Sequence, residues 1–221
     1  MRDRRKLLVG LSTAPIAAGL AACGRGKDEE VGAVEDLMRE HGVLRRAILV
    51  FREGAGRLRQ GARIDPAALV QTAHLFRNFG EEYHERKLEE AHIFPAVQKA
   101  GGPAAAYVQT LIDQHNRGRA IIDYVLAAAS STDVQSLAQA LEQFELMYAN
   151  HAAREDTIVF PAWKAALGEN GVEEMGEKFE EIEKQQFGGD GFDHAVKQIG
   201  QIEDSLGFSD LAQFTAPLPP R

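Results

Sequence analysis

The sequence has little sulfur chemistry to offer. It holds one cysteine, Cys23, so no disulfide can form within the chain. Basic residues are also in short supply. Twenty-five Lys and Arg stand against 33 Asp and Glu, and the net charge of −8 argues against non-specific nucleic-acid binding. Ser, Pro and Gly do not dominate, so most of the chain is expected to fold. No stretch alternates apolar and polar residues in the manner of a strand, which leaves an all-α fold class. The 221 residues are enough for one domain with a buried core plus an appendage.

Residues 1–22 read as a leader. Arg2, Arg4, Arg5 and Lys6, with Asp3, are the only charges in this stretch, so the chain from Cys23 onward is more acidic than the whole. The apolar run 7–22 is short for a membrane span and is broken by Gly10, Pro15 and Gly19. A basic start, a short apolar run and small residues before a cut site predict a secretory signal peptide. Leu20-Ala21-Ala22-Cys23 resembles the bacterial lipobox, which implies a lipid-anchored Cys23 and a membrane-anchored lipoprotein on the periplasmic side of the envelope. Arg4-Arg5 followed by Lys6-Leu7-Leu8 loosely resembles a twin-arginine export signal. Residues 23–30 are polar and aperiodic, as expected of a tether.

Residues 31–167 divide into four long helices. The first covers about 31–60, with Val34, Leu37, Leu44, Ile48 and Phe51 at helical spacing. Asp65-Pro66, a cap followed by proline in the first turn, opens the second, which turns Leu69, Phe76, Phe79 and Tyr83 inward and runs to 99. Gly101-Gly102-Pro103 separates it from a third helix, about 103–129. Ser130 to Asp133 form the loop and cap before a fourth that reaches about 167. Short connections favour an up-down-up-down four-helix bundle. Residues 168–221 form a C-terminal appendage with helices at 171–187 and 192–206 and a frayed end. It is expected to pack over one side of the bundle.

The four helices contain an internal repeat. Glu40-His41 is followed by Arg45, and Gln114-His115 by Arg119. The second helix carries Tyr83-His84, then Glu89-Glu90, then Phe94-Pro95. The fourth carries Asn150-His151, then Glu155-Asp156, then Phe160-Pro161. The chain therefore reads as one helix pair repeated, and twofold-like packing would bring the repeated groups together. A histidine and a glutamate four apart, such as His151 and Glu155, lie about 40° from each other around an α-helix and face the same place. One glutamate from each of two helices can bridge two metal ions while imidazoles take the outer positions. Carboxylate and imidazole without thiolate suit iron, manganese or zinc. Two carboxylates buried together require a cation to be favourable.

These residues resemble the hemerythrin, or HHE cation-binding, family. The resemblance covers about residues 34–164. It implies a four-helix bundle with two non-haem iron ions that binds dioxygen or a related small ligand. Carried onto this sequence, it implies His41, His84, His115 and His151 as terminal ligands and Glu89 and Glu155 as bridges. The sequence departs from the family at two points. His84 and Glu89 are five apart, about 140° on a regular α-helix. Either a π-bulge realigns them, at the kind of position where such bulges favour function, or Glu85, four before Glu89, takes the place and adds a third anion to the core. The oxygen carriers have a second histidine four residues on in the third helix, where this chain has Arg119. About two coordination positions then stay open, which argues against plain oxygen transport.

Other residues read as packing or surface. His74 has no partner in the repeat. His92 completes a Glu-x-x-His with Glu89, but Ile158 stands at the matching place in the fourth helix. Tyr83 and Tyr148 fill the core. The two Phe-Pro pairs are expected to kink or end the metal-bearing segments. Arg45 and Arg119 are placed to pair with nearby carboxylates. Two functions fit: a protein that binds a small gaseous or peroxide ligand at the cell envelope, or a di-iron peroxidase- or oxidase-type enzyme using the extra open position. No dedicated acid, base or substrate pocket is legible for the latter. Four histidines and two glutamates at repeated positions disfavour a metal-free structural protein.

Overall fold

The computed structural model describes residues 31–220. The predicted signal peptide, the tether and the anchor at Cys23 lie outside the described residues. Within them the chain is helical, with no strand.

Helix α1 spans Ala33–Arg59 and buries one face, including Leu37, Leu44, Ala47, Ile48 and Phe51. Helix α2, Pro66–Leu75, starts where Asp65 accepts a hydrogen bond from the Ala67 N–H at 2.9 Å, with proline in the first turn. It runs without a break into a π-helical segment, Phe76–Ile93, and then into α3, Phe94–Ala100. Helix α4 is Gly102–Ala128 and α5 is Val134–Arg154, the latter capped by Asp133 accepting from Ser136 N–H at 3.1 Å. A second π-helical segment, Glu155–Val159, leads into α6, Phe160–Phe187. Gly168 breaks α6 with φ 70° and ψ 175°, a conformation open to glycine and costly for other residues. Helix α7, Gly191–Leu206, and a short 3₁₀ turn, Leu211–Phe214, complete the described chain.

The helices form a bundle in which α1 lies chiefly against α5, and α4 packs on α3 and α5. One end of the core is aromatic. Phe76 and Phe144 meet edge to face at 4.9 Å between ring centres, with Phe51 6.0 Å from Phe144. Gly80 allows the π segment to approach α1, since a Cβ there would sit 3.1 Å from Leu44 Cδ2. The C-terminal helices cover one side. Trp163 stacks on Phe179 at 5.8 Å, Phe187 packs on Phe79 and Tyr83, and α7 lies across α1 and α2. Arg46 of α1 pairs with Glu203, and Arg39 lies over the Phe192 ring at 4.1 Å.

The Phe-Pro pairs do not end their helices. In both, the Phe N–H closes the last wide turn onto the backbone carbonyl of a glutamate, Phe94 onto Glu89 and Phe160 onto Glu155. The next residue, Pro95 or Pro161, has no N–H to continue that ladder, so the chain resumes as α-helix. Proline here ends the wide-turn segment that carries each glutamate, one of the two outcomes expected of the Phe-Pro pairs, and the chain continues as α-helix.

Candidate metal centre

Four helical stretches each bring one histidine to a common buried place: His41 from α1, His84 from the long π segment, His115 from α4 and His151 from α5. Glu89 and Glu155 join them from the two π segments. All six are at most 4% exposed. The five-residue step from His84 to Glu89 works because the π-helix closes its hydrogen bonds onto the residue five back, so each residue turns the chain less than in an α-helix. Both side chains then face the bundle interior. His84, not Glu85, stands in the group with His41 and Glu89. Glu85 is buried beside it, 3.0 Å from Arg119 and 4.0 Å from His115 Nδ1, in a separate group with Glu90 and His115.

The imidazoles sort into two pairs. His41 and His84 bring their Nε2 atoms to 3.0 Å, and His115 and His151 to 3.1 Å. Glu89 lies between the pairs, with Oε1 3.3 Å from His84 Nε2 and Oε2 3.3 Å from His115 Nε2. Glu155 Oε2 is 3.0 Å from His151 Nε2 and 3.5 Å from His41 Nε2, and its Oε1 is 4.0 Å from His115 Nε2. None of the four oxygens has an aligned hydrogen-bond donor, although all are buried. Such carboxylates cost several kcal/mol each unless a cation meets them. Ligand atoms of Glu89, His115, His151 and Glu155 lie within 4.8 Å of one another, as do those of His41, His84 and Glu89. The donors fit hard or borderline divalent ions, and Glu89 belongs to both groups.

The match with known proteins agrees with that geometry. The description "Hemerythrin HHE cation binding domain" fits residues 32–163, which contain all six side chains. The chain belongs to the hemerythrin HHE family. An uncharacterised protein of Mycobacterium bovis is 38% identical over 96% of this chain and 90% of its own length. Uncharacterised proteins from two strains of Mycobacterium tuberculosis match to the same extent. No solved structure matches.

Around these six side chains of the HHE domain runs an ordered set of partners. The outer nitrogen of each imidazole is engaged: His41 Nδ1 with Asp156 Oδ1 at 2.6 Å, His115 Nδ1 with Glu90 Oε1 at 2.8 Å, His84 Nδ1 with Glu40 Oε2 at 2.5 Å and His151 Nδ1 with Gln114 Oε1 at 2.9 Å. With the outer nitrogens donating, each Nε2 would present its lone pair to a cation held between the rings. Arg45 pairs with Asp156, and Arg119 reaches Glu90 at 2.6 Å. The rings are held flat: Phe160 stacks on His41 at 5.4 Å and Phe94 on His115 at 5.5 Å. Each phenylalanine thus rests on the histidine of the other helix pair.

Charge follows this layout. Burial pushes the Glu155 carboxyl up, but His151 and His41 hold it well below the usual carboxylate range. Burial and Glu155 also raise Glu89, and His84 and His115 bring it below its ordinary value. Burial, with the carboxylates of Glu155, Glu85 and Glu89, drives the Tyr148 hydroxyl well above its ordinary value, so it keeps its proton; that hydroxyl has no hydrogen-bond partner. His92 lies outside the cluster, against Phe179, and His74 is exposed.

Sequence reasoning did not assign the outer partners. Asp156 and Glu90 were visible as the acid directly after each central glutamate, and Glu40 and Gln114 as the residue directly before each α1 or α4 histidine. Their contacts are 25 to 115 residues distant in sequence, so only the fold reveals them.

Proposed function

We propose that this HHE protein holds two non-haem iron ions and binds dioxygen or a related small ligand, nitric oxide or peroxide, at the cell envelope. His41 and His84 hold one ion, His115 and His151 the other, and Glu89 and Glu155 bridge them. The observation that carries this reading is the set of four donor-less, buried carboxylate oxygens between two imidazole pairs. Manganese or zinc suits the same donors, but iron matches the family's habit and the small-ligand role. Iron in this place supplies open coordination positions and one-electron redox chemistry. The protein supplies the rest. Phe94, Phe160 and the outer hydrogen bonds fix the imidazoles, the aromatic core keeps water away, and Tyr148 retains a proton to donate to a bound ligand. The envelope location rests on the lipobox-like Leu20-Ala21-Ala22-Cys23.

A di-iron peroxidase- or oxidase-type enzyme is the second reading, and the unpartnered, buried Tyr148 hydroxyl favours it, since a free hydrogen-bond donor can steady a bound oxygen species during turnover as well as binding. Stopped-flow absorption of the iron-loaded protein separates the two. Spectral changes that reverse when oxygen or nitric oxide is removed support binding, and sustained peroxide consumption supports the enzyme. A loaded protein that responds to none of these ligands contradicts both. For location, Cys23→Ala should move the protein from the membrane fraction to the soluble fraction. An unchanged membrane fraction contradicts the anchor.

A further inference from the structure

The two metal positions each hold two imidazoles and share Glu89, while Glu155 joins Glu89 only in the group of His115 and His151; they differ further in what stands behind one imidazole. Two of the four outer hydrogen bonds are equivalent. His41 donates to Asp156 and His115 to Glu90, and each acid is paired with an arginine, Arg45 or Arg119. The other two are not equivalent. His84 Nδ1 meets a carboxylate, Glu40 Oε2, at 2.5 Å, while His151 Nδ1 meets a neutral amide, Gln114 Oε1, at 2.9 Å. Glu40 and Gln114 occupy the same place in the repeat, directly before His41 and His115.

Their surroundings widen the contrast. Glu40 is 1% exposed, and His84 is its ion-pair partner among the described residues. Gln114 is half-buried on α4. Glu85 stands behind His115 and not behind His151: it shares Arg119 with Glu90, at 3.0 and 2.6 Å, and lies 4.0 Å from His115 Nδ1. A carboxylate accepting from an imidazole N–H makes the opposite nitrogen a stronger donor to a metal, and a neutral amide does so less.

Resting on the two-ion reading above, we infer that Glu40 and Gln114 make the two positions unequal: the one held by His41 and His84 binds its ion more tightly and favours the more highly charged ion. Glu40 is a positioning residue that acts through His84. Changing such a partner typically shifts metal affinity about 10–100-fold, and a difference of that order is expected between the positions.

Cobalt(II) tests this by calorimetry and visible absorption on the metal-free full chain. His151→Ala leaves the His41/His84 position complete, and His84→Ala leaves the His115/His151 position complete. The ion kept by His151→Ala should bind about 10–100-fold more tightly than the ion kept by His84→Ala. Glu40→Gln, of the same shape, should weaken the tighter step of the otherwise natural chain. Gln114→Glu, on the more open side, should strengthen the weaker step, and Glu40→Gln with Gln114→Glu should exchange the order of the two histidine variants. Equal affinities in the two histidine variants, or a Gln114→Glu protein with unchanged steps, overturn the inference alone. Uptake of fewer than two ions by the natural sequence overturns the two-ion reading and this inference with it.

Discussion

The two helix pairs reach the same centre by different backbones. In the second pair, His151 and Glu155 are four apart and only five residues, Glu155–Val159, are π-helical. In the first, His84 and Glu89 are five apart and the π-helical stretch runs over eighteen residues, Phe76–Ile93. A wider helix takes up the extra residue, and the side chains arrive alike: His84 sits 3.3 Å from Glu89 and His151 3.0 Å from Glu155. Both wide stretches stop at the same chemical signal, a Phe that closes the last wide turn and a Pro that cannot start another. A repeat can therefore preserve a site while its backbone drifts, provided that the carboxylate and the terminating pair stay fixed relative to each other.

The largest expected effect separates bridge from terminal ligand. Because Glu155 faces His41, His115 and His151, Glu155→Ala should abolish iron uptake at both positions, measured as metal per chain. Retention of one ion would show that Glu155 belongs to a single position. Next, Phe94→Ala and Phe160→Ala test whether the two pairs are equivalent in packing. Both rings are buried at 0–1% exposure and rest on a histidine, so each change should cost about 3–5 kcal/mol in urea unfolding. Costs differing by more than about 2 kcal/mol would break the equivalence.

A smaller effect belongs to the covering helices rather than to the centre. Burial pushes Glu183 up to about 7, with the Phe192 N–H opposing and Glu40 adding to the rise. Between about pH 4.5 and 7 the folded chain then holds more protons here than the unfolded one, so this group lowers stability as pH rises through that window. Glu183→Gln should flatten that part of the stability profile. A profile identical to that of the natural sequence contradicts the assignment. The smallest effect is at His74, exposed and remote from the cluster: His74→Ala should leave iron content unchanged and stability within about 0.5 kcal/mol.

Much of this was legible in the sequence because the repeat carries it. Equal spacing around His41 and His115, and around Glu89 and Glu155, pointed to convergence of six side chains before any contact was known. The cap at Asp65-Pro66 and the Gly101-Gly102-Pro103 break marked helix ends for simple steric reasons. The five-residue step at His84 signalled a departure from α-helix but not its length, since one extra residue between two side chains does not say how far the wide turns extend to either side. The Phe-Pro pairs marked where the glutamate-bearing segments end, but not that the chain runs on as α-helix, since a change from wide to narrow turns tolerates the missing N–H. The outer carboxylates stayed hidden because a polar residue on a helix reads as solvent-facing until its neighbour is placed.

The central claim is that two ions sit between Glu89 and Glu155, one beside each pair of imidazoles. An anomalous difference map recorded at the iron edge from crystals of the iron-loaded protein tests it most directly. Two peaks should emerge inside the bundle, one next to His41 and His84 and one next to His115 and His151, both within reach of the two glutamates. A single peak, or peaks outside this cluster, would contradict the account.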